Sequence, residues 1–279
     1  MSLSLKRPSA AIQRPSGDQV VKPICRPRGV RLRAAPLEIS NRTTPSAVTA
    51  FPMSPASRVP WRDARSRVTR GNLARSTLAR RLRIEATFRT KLITTAGTTL
   101  VGGARVSRVA LGPTDAADQE FLFASLDGLH ELSPEIRGVL GQPFLARFDY
   151  TLDFQGRRLL FGEPAGAGTR VPFRLVHNRM VVATSQGNLV FDSGASTLFL
   201  FRASAGNSGT IRSGDGLTAS VSVDKAPELR IGGLVLHPDK AAFDAREAAD
   251  YDGLLPASLI HAVSISNSEG FLAIRPGTR

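Results

Sequence analysis

The chain has 279 residues, 42% of them hydrophobic, and a formal net charge of +14, a length that suits one large domain or two modest ones with a packed core. Residues 1–92 hold 20 Lys and Arg against 4 Asp and Glu, while residues 93–279 hold 17 against 19, so the basicity belongs to one end and whole-chain charge says little about the body. A lone Cys25 excludes an internal disulfide framework and a cysteine-rich zinc site; His130, His177, His237 and His261 lack metal-ligand spacing, and neither a metal nor a cofactor is expected.

Residues 1–70 are rich in Arg, Pro and Ser, and half of the 18 prolines fall before residue 61. No helical or strand period persists there, so the segment is read as basic and disordered. An arm for acidic partners and a misplaced gene start are the other readings of the same composition. It has basic residues but no apolar core of a secretory signal, and no apolar run in the chain nears the ~18 residues of a membrane-spanning helix. Interleaved aromatics and RNA-module motifs are missing, which argues against a nucleic-acid partner.

From residue 73 the pattern changes. Leu73, Leu78, Leu82 and Ile84 fall at helical spacing in "NLARSTLARRLRI", which predicts a short amphipathic helix. "ATFRTKLITT", "ARVSRVALG" and "EFLFASL" read as strands. A short helix is expected over 142–148, then strands over 150–154 and 158–161 about a Gly156 turn. Residues 162–170, "GEPAGAGTR", read as a linker. Beyond it come strands in "FRLVHNRMVVATSQGNLVF" separated at Asn178 and at Gln186-Gly187, then "LFLFR". A Gly/Ser-rich stretch over 203–216 is expected to be an exposed mobile loop, and strands resume at Leu217.

Two closing segments share a grammar. "GVLGQPFLARFDYTLDFQGRRLLF" (138–161) overlays "GLLPASLIHAVSISNSEGFLAI" (253–274). Gly138 meets Gly253, Gly141 meets Pro256, Phe148 meets Val263, and Gly156 meets Gly270 after a small shift. Upstream, Gly112 ending "VALG" matches Gly232 ending "LRIG". Two degenerate copies of one β-rich unit explain this economically.

"LVFDSGAST" (189–197) poses the functional question, because an apolar strand runs straight into Asp192. A carboxylate there is costly unless neighbours solvate or pair it. One reading is a strand stopped by an Asx-type turn; the other is chemistry. With "DGLLPASL" some 60 residues on, the segment resembles the retropepsin-like and pepsin-like aspartic peptidases. Their hallmark is an apolar strand entering D-[ST]-G-[AS]-[ST], with a later apolar-apolar-Gly segment crossing beneath it. The second half is similar to a lobe of a bacterial aspartyl protease family protein, with G-L-L-P in place of the usual I-L-G. The resemblance spans 73–279. It implies a mainly β fold of two related acid-protease-like lobes, at 73–163 and 171–279. It also implies a peptide or protein substrate and aspartic endopeptidase activity. Asp192 would then be one member of a catalytic dyad. Ser193 would tie two loops together, Gly194 would allow close approach, and Ser196 would hydrogen-bond the carboxylate. The first lobe departs from the pattern: near 60–70 it reads "PWRDARSRVTR", where Asp63 is followed by Ala64, and "LITTAGTTL" has Thr95 in place of Asp. Activity would need a second carboxylate from a homodimer or from the N-terminal segment; the alternative is a non-catalytic peptide-binding protein.

Overall fold

Adjacent residues of the apolar segments point into different cores, which is why these segments read as continuous apolar runs rather than as clean alternations. Phe121 packs with Val106, Val109 and Phe144, whereas its neighbour Leu122 packs with Leu92, Val101 and Leu126. The structure, a computed structural model, describes residues 28–31, 38–40, 71–112, 114–162, 168–245 and 250–277. It is mainly β. In chain order the first part holds β1 (Arg28–Arg31), β2 (Glu38–Ser40), β3 (Asn72–Arg75), α1 (Ser76–Arg81), β4 (Phe88–Thr94) and β5 (Gly97–Leu111). There follow β6 (Thr114–Ala124), α2 (Asp127–Leu132), β7 (Gly138–Val139), α3 (Gln142–Leu145), β8 (Tyr150–Asp153) and β9 (Arg158–Phe161). The second part holds β10 (Thr169–Val176), β11 (Arg179–Thr184), β12 (Gly187–Asp192), β13 (Leu198–Leu200), β14 (Asn207–Arg212) and β15 (Thr218–Lys225). It closes with β16 (Leu229–Ile231), β17 (Leu234–Leu236), β18 (Lys240–Phe243), β19 (Gly253–Pro256), β20 (Ile260–Ser266) and β21 (Phe271–Pro276). The expected disorder of residues 1–70 falls, apart from β1 and β2, on residues outside the described ones.

One pairing order occurs twice. In the first unit it runs β4–β5–β6–β3–β7 and in the second β14–β15–β18–β13–β19. The directions agree at every step: β4–β5 and β14–β15 are antiparallel, as are β5–β6 and β15–β18. Then β3–β6 and β13–β18 are parallel, and β3–β7 and β13–β19 antiparallel. Gly138 lies opposite Ala74 and Gly253 opposite Leu200, at the same step of the order. Both glycines are sterically required. A Cβ at Gly138 would stand 2.6 Å from the Leu73 carbonyl oxygen, and one at Gly253 2.1 Å from that of Phe199. Gly112 and Gly232 also correspond, each in the left-handed region (φ 60° and 57°) at a hairpin turn.

The two units are joined along β8 and β20, whose antiparallel register pairs Tyr150 with Ile265, Thr151 with Ser264 and Leu152 with Val263. Each belongs to a hairpin with a four-residue turn, 154–157 in one and 267–270 in the other. Tyr150 and Val263 hold corresponding positions, as do Leu152 and Ile265, so the seam has two-fold symmetry with Thr151 and Ser264 at its centre. Their buried hydroxyls are 2.8 Å apart. At one end of the seam Asp149 accepts bonds from the Ser268 and Ser266 hydroxyls at 2.6 and 3.1 Å and from the Ser268 N–H at 3.0 Å. Burial pushes the Asp149 pKa up, but these bonds outweigh it and the net shift is below the ordinary carboxylate value.

Several details differ from the sequence reading: the helix expected over 142–148 spans Gln142–Leu145, and β10 begins at Thr169, inside the expected linker. Leu73 lies in β3 and only residues 76–81 are helical, because the segment enters a parallel ladder with β6 before it turns. Residues 207–212 of the expected loop form β14, held by a six-rung ladder to β15; main-chain bonding overrides the weak strand preference of Gly and Ser. Phe148 precedes β8, and it is Tyr150 that corresponds to Val263.

Candidate active site

Three strands hold the D-S-G turn. β19 lies between β12, to which it is parallel, and β13, to which it is antiparallel. Leu189, Phe191, Leu198, Leu200 and Leu255 face one core, and Val190, Phe199 and Leu254 face another. Each side chain is nearly fully buried, a gain of about 1.5–3 kcal/mol apiece. That two-sided burial fixes the direction of β12 and carries its last residue, Asp192, to the rim, where it is half-buried. Asp192 pairs with Pro256 at the last rung. The far end is pinned by Asp252, whose carboxylate accepts the Asn188 N–H at 2.7 Å and whose own N–H bonds the Asn188 carbonyl at 2.7 Å.

The turn itself is built on the carboxylate. The Gly194 N–H donates to Asp192 Oδ1 at 2.9 Å, and the Ala195 N–H to the Asp192 carbonyl at 3.2 Å. Gly194 does approach the carboxylate, yet a Cβ there would sit 3.4 Å from Oδ1, an ordinary contact that does not demand glycine. Ser196 departs from expectation. Among the described residues its hydroxyl makes no bond to Asp192; its carbonyl accepts instead from the Ser258 hydroxyl at 2.9 Å. The exposed turn points that side chain outward, and Ser258 ties the turn to the residues after β19. Ser193 is exposed, and its hydroxyl likewise bonds nothing among the described residues.

β19 has β12 on its outer side, but β7, its counterpart, is the last strand of its sheet among the described residues. The residues just before Gly71 lie outside the described ones. Neither of two surface cavities, about 580 Å³ beside α1 and about 450 Å³ beside Lys225 and His237, is lined by Asp192. Among the described residues no cluster of His, Cys, Asp and Glu could hold a metal ion.

No family model and no curated protein matches this chain.

Two features of the site were not foreseen. Arg179 is buried, stacks 4.8 Å from the centre of the Tyr251 ring and hydrogen-bonds the Tyr251 hydroxyl. It stands two residues beyond Val181 on β11, as Asp192 stands two beyond the paired Val190 on β12. The only sequence signal was its place after the His177-Asn178 turn, where both residues take positive φ (48° and 59°), the geometry of a tight hairpin. Asp252 and Ser258 flank the G-L-L-P segment closely enough that its neighbours could have been read as its anchors.

Proposed function

We propose that this protein is an aspartic-peptidase relative that takes an extended peptide between its two units, with Asp192 the carboxylate presented to the scissile bond. The observation that carries this reading is the threading of Gly253–Pro256 between the strand ending at Asp192 and the strand that follows the turn. It is supported by the repeated pairing order in residues 72–139.

Hydrolysis needs two carboxylates that share one proton, because like charges about 3 Å apart cannot both ionise. The ionised member takes a proton from a water whose oxygen attacks the carbonyl carbon. The protonated member hydrogen-bonds the carbonyl oxygen as charge builds there, and the nitrogen leaves as the amine once protonated. Asp192, half-exposed and held by one main-chain N–H, suits either role. On this reading the second carboxylate belongs to the N-terminal segment or to another copy of the chain. A second reading, a peptide-binding protein without catalysis, is favoured by the first half of the sequence, which has no D-[ST]-G to match Asp192-Ser193-Gly194.

The deciding assay is cleavage of denatured casein by the full chain at about pH 4, with and without pepstatin. Pepstatin-sensitive cleavage that Asp192→Asn reduces to background, with an unchanged circular dichroism spectrum, is the expected result. Specific activity rising with protein concentration would place the second carboxylate on another copy. Peptide binding without cleavage would establish the second reading, and neither binding nor cleavage would overturn both.

A further inference from the structure

The cavity of about 580 Å³ beside α1 is floored by Ala79, Ile84 and Phe123 and rimmed by Arg80 and Arg83. The chain after α1 builds its wall. Arg83 takes a left-handed φ of 55°, and the Ile84 N–H reaches back to the Ala79 carbonyl at 2.9 Å. That turn lays Ala86 over Gly102, where a Cβ would stand 2.8 Å from the Ala86 Cβ. The register sets Arg89 opposite Gly102 and Gly102 opposite Phe123, so all three share one face of the sheet. Lys91 and the exposed Leu100 form the next row of that face. Leu92 and Val101 point the other way, into a separate core. The charge on this part of the chain is one-sided: residues 71–112 hold eight Arg and Lys and a single acid, Glu85. Arg75 and Arg108 are paired with Asp127 and Asp115. Arg80, Arg81, Arg83, Arg89 and Lys91 are exposed and form no ion pair among the described residues.

We propose that this face is a docking site for an acidic, extended peptide segment of a partner protein. One apolar side chain of the segment enters the cavity, and its carboxylates lie against Arg80, Arg83, Arg89 and Lys91. The volume is in the range of sites that enclose small ligands and side chains, and the concave apolar floor suits a side chain better than the flat surface of a membrane. An extended chain sets alternate side chains about 7 Å apart. Arg89 and Lys91, alternate exposed residues of β4, repeat at the same spacing. A small anion would need donors converging on one point, whereas these cations come from α1, the turn after it and β4. Unpaired like charges gathered on one face attract a partner of opposite sign. Asp192 does not line this cavity, so the site stands apart from the peptidase reading.

The test is fluorescence anisotropy of the full chain with a fluorescein-labelled glutamate decapeptide carrying one central leucine, beside the same peptide with serine in the leucine's place. The leucine peptide is expected to bind more tightly than the serine one. Arg80→Gln combined with Arg83→Gln should weaken its binding by about fivefold, as both side chains are exposed and circular dichroism should show the fold kept. Raising salt to about 0.5 M should weaken it as well. Asp192→Asn should bind as the wild type does. No binding by the wild type, or equal binding by the double variant, overturns the site. Equal affinity for the two peptides overturns the role of the cavity. Competition by pepstatin, or loss of binding in Asp192→Asn, places the peptide elsewhere and overturns the assignment. Tighter binding of oligouridylate or of phosphatidylserine vesicles overturns the peptide as occupant.

Discussion

Replacing Gly253 by alanine tests whether β19 truly lies wedged between its neighbours. The added methyl would stand 2.1 Å from the Phe199 carbonyl oxygen and 3.1 Å from Leu189 Cδ2. The first obstacle is main chain of a strand buried on both faces, so relief requires moving β13 or β19 rather than turning a side chain. Forcing a methylene into such a site costs about 3 kcal/mol, the upper part of the usual range for overpacking. For a protein of this size that lowers Tm by about 6–12 °C. Gly253 has no positive φ, so the loss is steric rather than conformational. Gly233 supplies the control: it also has an ordinary φ, and no atom lies within 4 Å of a Cβ built there. Gly233→Ala should leave Tm within about 2 °C of wild type. Thermal unfolding followed by circular dichroism should rank the variants Gly253→Ala, then Gly138→Ala, then Gly233→Ala in order of damage. A Gly253→Ala protein that melts with the wild type would refute the close approach, and with it the argument for why an apolar-apolar-Gly segment belongs beneath the Asp192 turn.

The seam offers a second measurement: Ser264→Ala leaves the buried Thr151 hydroxyl without its partner and should cost about 1–2 kcal/mol in urea unfolding. Adding Thr151→Val should recover part of that loss, and a purely additive pair would deny the bond. Asp153 is held ionised first by the Gly156 N–H at 2.8 Å and then by Arg158 at 2.6 Å, so its pKa lies below the ordinary value. A depressed folded-state pKa contributes stability above the unfolded value, about 3.9, that is lost as pH falls through the folded one. The gap in unfolding free energy between wild type and Asp153→Asn should therefore be widest above about pH 5 and close progressively below about pH 4.

Local patterns reported local structure well. Leu189-Val190-Phe191, an unbroken apolar run, proved to be a strand buried on both faces, and the Gly156 turn closed the hairpin expected of it. Gly112 and Gly232 matched because a two-residue turn in a twisted hairpin selects for positive φ, a requirement written in single residues. The misses have one physical source, which is that main-chain ladders and long-range contacts leave little trace in side-chain pattern. Ser208, Gly209 and Thr210 form a strand because β15 supplies their hydrogen bonds. α2 has no buried residue of its own, so no apolar period marked it, and it is shaped around the turn it meets. The resemblance implies a Ser196 bond to Asp192 that the structure lacks among the described residues; whether a hydroxyl faces a carboxylate or the solvent depends on a rotation that spacing does not encode. Asp192 itself was legible because a charge at the end of a buried strand breaks the expected pattern. No carboxylate ends an apolar run near residues 60–70, and those residues lie outside the described ones.

Thr151 and Ser264 meet as the same position of two copies would meet across a dimer axis. Each half of the chain thus carries an edge strand complementary to itself. Were the halves separate molecules, their association would rise and fall with concentration, and each unpaired edge would invite strands from unrelated chains. Carried on one polypeptide, the contact sees a fixed, high effective concentration. Dilution cannot part the halves, and neither β8 nor β20 is ever offered to a stranger.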